Sequence, residues 1–135
     1  MPEQPAGAGP KPAAPGEARI IEFVFPHDTN PLGTLFGGTL VAWMDKAAAF
    51  AAIRRARGSV VTAAIDGLTF QVPIRQGDMV ELLGEVESVG RTSLRVRVQV
   101  WRESPHGGSR ELATVGRFTM VAIGADGRPR PVDGG

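Results

Sequence analysis

The sequence predicts an α+β protein in which a curved antiparallel sheet of about five strands wraps around one long central helix. Only one segment, residues 38–57, is long, free of proline and rich in alanine, leucine and methionine. Most of the remaining middle of the chain alternates between apolar and polar residues, which is typical of half-buried antiparallel strands. The helix is apolar on nearly every side, so most of its surface must be covered by other elements.

The predicted elements follow one another in a simple order. A β-rich run at residues 20–25 stops at Pro26, and a turn-rich loop then leads to the helix. The helix ends at Gly58, just after three arginines that complement the negative end of its dipole. Four further strands are predicted, with short connections that indicate hairpins between the last three, at residues 60–72, 79–89, 92–103 and 111–123.

The two ends of the chain differ in composition from its middle. Both are rich in proline and glycine, and such segments bury too little apolar surface to offset the entropy lost on ordering. We therefore expect a disordered tail at residues 1–17, one folded domain at residues 18–124 and a flexible tail at residues 125–135. The N-terminal segment lacks the apolar stretch of a secretory leader, so a cytoplasmic protein is expected.

The composition argues against several classes of function. The formal net charge is +1, so the chain lacks the basic surface of a nucleic-acid-binding protein. With no cysteine and two histidines, it offers no disulfide framework, thiolate metal site or cysteine nucleophile, and we expect neither a metal nor a cofactor. No apolar run approaches the roughly 20 residues of a membrane span, so no membrane partner is expected.

One acidic residue stands inside the apolar helix. Asp45 shares its face of the helix with Val41, Ala48 and Ala52, and burying an unpaired carboxylate costs several kcal/mol. Such an acid either has a fixed partner, such as Lys46, an arginine or a backbone donor, or acts as a general base or nucleophile.

Three other features are candidates for the same site. Gly37 and Gly38 open the helix, where free N–H groups at the positive end of the dipole suit an oxyanion, although a plain N-cap is the alternative. Asn30 supplies an amide in the loop just upstream, or only an Asx-turn. Asp66 lies among apolar neighbours as a second acid, or marks a bulge beside Gly67.

The spacing between Gly38 and Asp45 favours a site shared by two chains. Seven residues span about 10 Å along a helix axis, so one helix does not readily bring both groups to the same carbonyl. A site between two subunits does, with one helix giving the N–H groups and the other the acid. The helix also keeps apolar surface beyond what the sheet covers, so we expect an obligate homo-oligomer.

Several of these residues belong to a recognisable pattern. The run from Asp28 to Gly38, followed by Met44-Asp45, resembles the signature of hotdog-fold acyl-CoA thioesterases, and in particular the YciA-like and cytosolic acyl-CoA hydrolase group. The resemblance covers residues 20–123, and it continues through Val60-Val61-Thr62, Asp66-Gly67-Leu68-Thr69-Phe70, Pro73, Gly77-Asp78 and Gly90-Arg91-Thr92-Ser93.

The resemblance implies hydrolysis of acyl-CoA to a free acid and CoA. Asp45 matches the catalytic carboxylate of that family, and Asn30 matches its active-site asparagine. Gly38 matches the residue whose N–H polarises the thioester carbonyl. Asp66 stands where relatives have aspartate or glutamate, which favours a role as a second acid.

The resemblance also implies a CoA site and an assembly. Gly37 and the segment Gly90-Arg91-Thr92-Ser93 correspond to residues near bound CoA, and Arg91 is expected to pair with a CoA phosphate. The family forms dimers and trimers of dimers with active sites at subunit interfaces, so we expect a homo-oligomer, either a dimer or a hexamer.

Two other functions stay open. A hydratase or dehydratase of the same fold acts on acyl thioesters but needs a histidine near the acid, and only His27 lies near the predicted site. A non-catalytic acyl-CoA sensor binds the thioester and releases no thiol. For the hydrolase itself, the sequence does not separate activation of water by Asp45 from direct attack that gives a mixed anhydride.

Overall fold

A computed structural model describes residues 14–133, so most of the predicted N-terminal tail and the last two residues lie outside the described part of the chain. The predicted helix and the last three predicted strands agree with the observed elements to within one residue at each end. The elements are β1 (Glu17–Phe23), the 3-10 turn η1 (Pro26–Asp28), α1 (Gly37–Ala56), β2 (Val60–Asp66), β3 (Met79–Val89), β4 (Ser93–Glu103) and β5 (Glu111–Ala122).

The five strands form one antiparallel sheet in the order β1-β3-β4-β5-β2, and the sheet packs against one face of α1. Both predicted hairpins, β3–β4 and β4–β5, are confirmed by their pairing. β1 and β2 each pair with a single strand, so they form the two edges of the sheet. The predicted α+β architecture, with a curved sheet around one long helix, is confirmed.

The core lies between the sheet and a stripe of alanines on α1. Small side chains let the helix approach closely, and a Cβ added at Gly84 of β3 would lie 2.8 Å from the carbonyl oxygen of Ala47. Fully buried side chains from both layers include Met44, Ala47, Ala48, Ala51, Ala52, Leu82, Val96, Val98, Phe118 and Met120.

No helix in the described residues is both long and apolar enough to cross a bilayer.

The outer face of the sheet carries the charges that alternate with this core. Arg97 of β4 lies 3.8 Å from Glu85 and 3.7 Å from Glu87 of β3, and Arg117 of β5 lies 3.3 Å from Glu87. These pairs place the acidic outer face of β3 beside the basic outer face of β4. Exposed pairs of this kind contribute little stability but keep the outer face hydrated.

The C-terminal segment differs from the flexible tail that its composition predicts. Residues 124–133 turn back onto the domain, where Val132 is buried and its N–H donates to the carbonyl of Arg91 at 2.8 Å. Asp133 accepts two hydrogen bonds, at 2.8 and 2.9 Å, from the guanidinium of Arg55. These contacts join positions far apart in sequence, so composition does not reveal them. They offset the conformational entropy that the segment loses when it becomes ordered.

Candidate active site

Asp45 lies midway along α1, on the side that faces the edge strand β2. Its carboxylate accepts a hydrogen bond from the hydroxyl of Thr62. Thr62 pairs in register with Met120, whose side chain is buried, so the threonine side chain is on the sheet face that carries the helix. Among the described residues, neither Lys46 nor an arginine pairs with Asp45. The acid therefore has a fixed neutral partner and no cation, which leaves its charge available to a ligand.

Thr62 is the functional candidate that sequence reasoning missed. It stood within the segment that resembles the thioesterases, but nothing in its type or spacing assigned it a role. The only cue is positional: Thr62 lies near the start of the strand that follows the helix, and Asp45 is the one acid within residues 37–56.

The first turn of α1 carries free N–H groups. The N–H of Leu40 makes the first helical hydrogen bond, to Phe36 at 3.1 Å, and Phe36 is the N-cap without a side-chain cap. The N–H groups of Gly37, Gly38 and Thr39 have no hydrogen-bond partner within residues 14–133. The two glycines are thus the first helical residues rather than the cap, and this end presents donors at the positive end of the helix dipole.

The space around these two glycines is asymmetric. A Cβ added at Gly38 would meet no atom within 4 Å, whereas one at Gly37 would lie 3.5 Å from the ring of Phe70. Phe70 and Phe36 are both about half exposed, so two aromatic rings border the free N–H groups. An anion bound at Gly38 would therefore have polar donors on one side and apolar walls beside it.

Asn30 forms the Asx-turn that was the alternative interpretation of its position. Its Oδ1 accepts from the N–H of Leu32 at 2.9 Å and of Thr34 at 3.2 Å, and its Nδ2 donates to the Thr34 hydroxyl at 2.8 Å. An amide nitrogen carries two hydrogens, so one donor stays free among the described contacts. Asn30 is therefore held in one orientation with a hydrogen to offer.

Asp66 lies on the opposite face of the sheet from Asp45. It pairs in register with Arg117, whose neighbours form the charged outer face, and its carboxylate is 3.3 Å from Arg95. The bulge in β2 lies between Thr62 and Ala64 rather than at Asp66. Within one chain, the structure does not bring Asp66 to Asp45 as a second acid.

The segment Gly90-Arg91-Thr92-Ser93 forms the turn of the β3–β4 hairpin, closed by a 2.8 Å hydrogen bond from the Gly90 N–H to the Ser93 carbonyl. The Arg91 side chain is exposed. This turn lies near the C-terminal end of α1, because β5 and the segment after it connect the hairpin to the loop that follows the helix. The helix is about 30 Å long, so one chain keeps this segment far from Gly38.

Comparison with known proteins identifies the family. The model of the thioesterase superfamily matches residues 32–109. The acyl-CoA thioester hydrolase YciA of Salmonella typhimurium is 38% identical over 120 residues, which cover 87% of this chain and 90% of that protein. The chain belongs to the thioesterase superfamily, and its sheet around one helix is the hotdog fold.

Solved structures agree with this assignment. A hexameric acyl-CoA thioesterase, solved without ligand, has 40% sequence identity and a TM-score of 0.84 over 90% of this chain and 78% of its own. An acyl-CoA hydrolase from Staphylococcus aureus, solved with butyryl-CoA, CoA and CoA disulfide, has 35% identity and a TM-score of 0.82, over 87% of this chain and 71% of its own.

Variants of the Staphylococcus aureus enzyme have also been solved in which an asparagine, an aspartate or a threonine is replaced by alanine. The aspartate follows the asparagine by 15 positions, and the threonine follows the aspartate by 17. Asn30, Asp45 and Thr62 have the same spacing in this chain.

Proposed function

We propose that this protein hydrolyses acyl-CoA to a free carboxylic acid and CoA. The observation that carries the proposal is the Asp45 carboxylate, held by the Thr62 hydroxyl beside an exposed sheet edge and without a cation partner in the described chain. The free N–H groups of Gly37 and Gly38 add a second element that thioester hydrolysis requires.

Asp45 supplies the base or the nucleophile. As a base, its free oxygen removes a proton from water while the water oxygen attacks the thioester carbonyl carbon. The carbon–sulfur bond then breaks, and the CoA thiolate takes up a proton. In direct attack, a carboxylate oxygen displaces the thiolate to give a mixed anhydride, which water hydrolyses. Thr62 serves both routes because it fixes the orientation of the carboxylate.

Gly38 and Asn30 act on the carbonyl. The N–H of Gly38 donates to the oxygen on which negative charge develops, at the positive end of the helix dipole. The free amide hydrogen of Asn30 orients the attacking water or the same carbonyl. Asp45 and Gly38 are about 10 Å apart along one helix, so the two groups that meet at one thioester come from different subunits.

A dimer formed through β2 meets this requirement. β2 is an edge strand with half-exposed Val61 and Ile65, and the outer face of α1 exposes Phe50 and Ile53. Two copies related by a two-fold axis beside β2 would cover these side chains and run their helices antiparallel. The helix start of one subunit would then approach Asp45 of the other. The hexamer of a relative suggests a further association of such dimers.

The hairpin turn at Gly90-Arg91-Thr92-Ser93 is the proposed contact for the CoA moiety. Within one chain this turn is far from Gly38. If the two helices of the dimer run antiparallel, the hairpin turn of one subunit comes close to Gly38 of the other. The exposed Arg91 side chain is suited to pair with a phosphate. The cytoplasmic location expected from the sequence stays a prediction.

The decisive experiment is a thiol-release assay with short-, medium- and long-chain acyl-CoA esters. Asp45→Asn should lower kcat by about two orders of magnitude or more, with the oligomer unchanged by light scattering. Asp66→Asn removes the same charge from the opposite sheet face and should stay within about threefold of the unmodified enzyme. Near-normal turnover by Asp45→Asn would refute the assignment.

The same samples test the two other functions. Double-bond absorbance without thiol release would indicate a hydratase or dehydratase. Tight binding of acyl-CoA without either signal would indicate a sensor. His27, which a hydratase would need, is exposed and stacks on Phe25, so the structure offers it no contact with Asp45 in the same chain.

A further inference from the structure

We propose that Asp78 is a positioning residue for the active site, which acts through the loop that holds Asn30 and leads into α1. We call residues 73–78 the support loop and residues 28–36 the active-site loop. The inference rests on the proposed function, because the orientation of Asn30 matters only if the thioester reacts there. Asp78 itself contacts none of the reacting groups.

Asp78 is one of two buried polar residues among those described, with 6% of its surface exposed. Its Oδ2 accepts from the N–H of Arg75 at 2.8 Å and from Nε of Arg102 at 2.9 Å, and its Oδ1 accepts from Nη2 of Arg102 at 3.0 Å. This is a two-point carboxylate–guanidinium pair, whose geometry fixes both planes. Arg102 also donates to Glu111, and hydrogen bonding to Asp78 raises the pKa of Arg102, so the guanidinium stays charged.

Backbone hydrogen bonds join the support loop directly to the active-site loop. The N–H of Leu35 donates to the carbonyl of Ile74 at 2.7 Å, and the N–H of Gln76 donates to the carbonyl of Gly33 at 3.0 Å. A β-bridge joins Thr34 to Arg75, the residue whose own N–H is held by Asp78. The conformation that Asp78 imposes on the support loop is therefore passed to residues 33–35.

The last step reaches Asn30. Thr34 accepts from the Asn30 side chain through its hydroxyl, donates its N–H to Oδ1 of Asn30, and accepts from the Asn30 N–H at 2.9 Å through its carbonyl. Every link from Asp78 through Arg75 and Thr34 to Asn30 is thus a direct contact.

Stability alone does not account well for this buried pair. A buried ion pair is often no more stabilising than apolar residues of the same size, because desolvation offsets the attraction. The pair provides a fixed geometry, because Arg102 lies near the end of β4, the central strand of the sheet, where it pairs with Val80 of β3. The ion pair therefore fixes the support loop, a surface segment, to the strand β4.

The test is a double-mutant cycle between Asp78→Asn and Asn30→Ala. Asp78→Asn keeps the volume but turns one acceptor into a donor that faces the donors of Arg75 and Arg102. We expect kcat to fall about tenfold with KM changed less than about twofold, because positioning acts on the transition state. In the Asn30→Ala background, the further loss should be less than about twofold, because the group being positioned is absent.

Hydrogen exchange measured by mass spectrometry or NMR gives a readout that does not depend on activity. Asp78→Asn should speed exchange at Leu35 and Gln76 while core amides of β4 stay protected. Asp133→Asn, which breaks an aspartate–arginine pair elsewhere, should leave both kcat and these amides unchanged. If Asp78→Asn does not fold, Arg102→Lys keeps the charge, loses the two-point geometry, and should change exchange and kcat in the same direction.

The outcomes separate this inference from the proposed function. Faster exchange with no effect of Asn30→Ala on kcat would reject the role of Asn30 and leave the link from Asp78 to the loop intact. Unchanged exchange at Leu35 and Gln76, or a full tenfold loss that persists in the Asn30→Ala background, would overturn the inference.

Discussion

At the first turn of α1, the N–H groups of Gly37, Gly38 and Thr39 have no partner in the described part of the chain. At the last turn, the C-cap residue is hydrogen-bonded and one terminal carbonyl has a partner elsewhere in the domain. The Arg57 N–H donates to Ile53 at 2.7 Å, and Nη2 of Arg130 donates to the Ala56 carbonyl at 3.0 Å. We call the first turn the open end of α1, because its N–H groups are free, and the last turn the closed end, because it is hydrogen-bonded to the domain.

The difference indicates which end is kept for stability and which for a ligand. A serine, threonine or aspartate at the position of Phe36 would satisfy one free N–H and stabilise the helix by about 1 kcal/mol. The chain instead has a residue that cannot cap, followed by two glycines, which gives up this stabilisation and leaves room at Gly38. Free donors in a spacious site are what an anionic transition state requires.

Among changes at the two ends of α1, the largest effect is expected from removing a donor at the first turn. Gly38→Pro deletes a single N–H, and proline is tolerated within the first turn of a helix. We expect kcat for thiol release to fall about 100-fold, the usual cost of losing one oxyanion donor. The helix content measured by circular dichroism should stay close to that of the unmodified protein.

Gly38→Ala is the matched control for that variant. It keeps the N–H, and the added Cβ meets no atom within 4 Å in the chain itself. Its kcat should therefore stay at least about tenfold above that of Gly38→Pro. Equal activity of the two variants would mean that the N–H of Gly38 plays no part in catalysis. The free N–H groups at the first turn would then not be explained by the reaction.

A smaller effect is expected at the closed end. Arg57 has φ 56° and ψ 46°, the left-handed conformation that helix C-termini commonly give to glycine. Arg57→Gly should remove strain and stabilise the fold by about 1 kcal/mol, which raises Tm by a few degrees at fixed protein concentration, with kcat unchanged. A lower Tm would instead show that the exposed arginine side chain stabilises this end.

Much of the fold could be predicted because its signals are local. The alternation in β3 and β4 and the uninterrupted apolar helix set those elements to within one residue. β1 and β2 are the exceptions. The first strand is predicted at residues 20–25 but spans Glu17–Phe23, and the second is predicted to residue 72 but ends at Asp66. Gly67 takes a left-handed φ of 61° there, and the apolar residues beyond it lie outside the strand.

Residues of the site could be predicted only where the residue type is unexpected for its position in the sequence. Asp45 stands out because an acid inside an apolar helix needs either a partner or a function, whereas Gly37-Gly38 was also compatible with a plain N-cap. Thr62 and Asp78 are ordinary in sequence. Their partners lie 17 residues away in one case and 24 in the other, so only the folded chain shows what they hold.

The smallest expected effect concerns the pair that ties the C-terminal segment to the closed end of the helix. The hydrogen bond from Arg55 lowers the pKa of Asp133 below its usual value. A carboxylate with a lowered folded-state pKa adds stability above the pKa of the unfolded chain, near 3.9, and loses it as the pH falls through the folded value. Asp133→Asn should therefore lower Tm by about 1–2 °C from pH 5 to pH 8, and this difference should shrink as the pH falls below the unfolded-state pKa near 3.9 and also in high salt. A difference that persists at pH 2 would mean that the segment is held by Val132 and its backbone hydrogen bonds rather than by the charge.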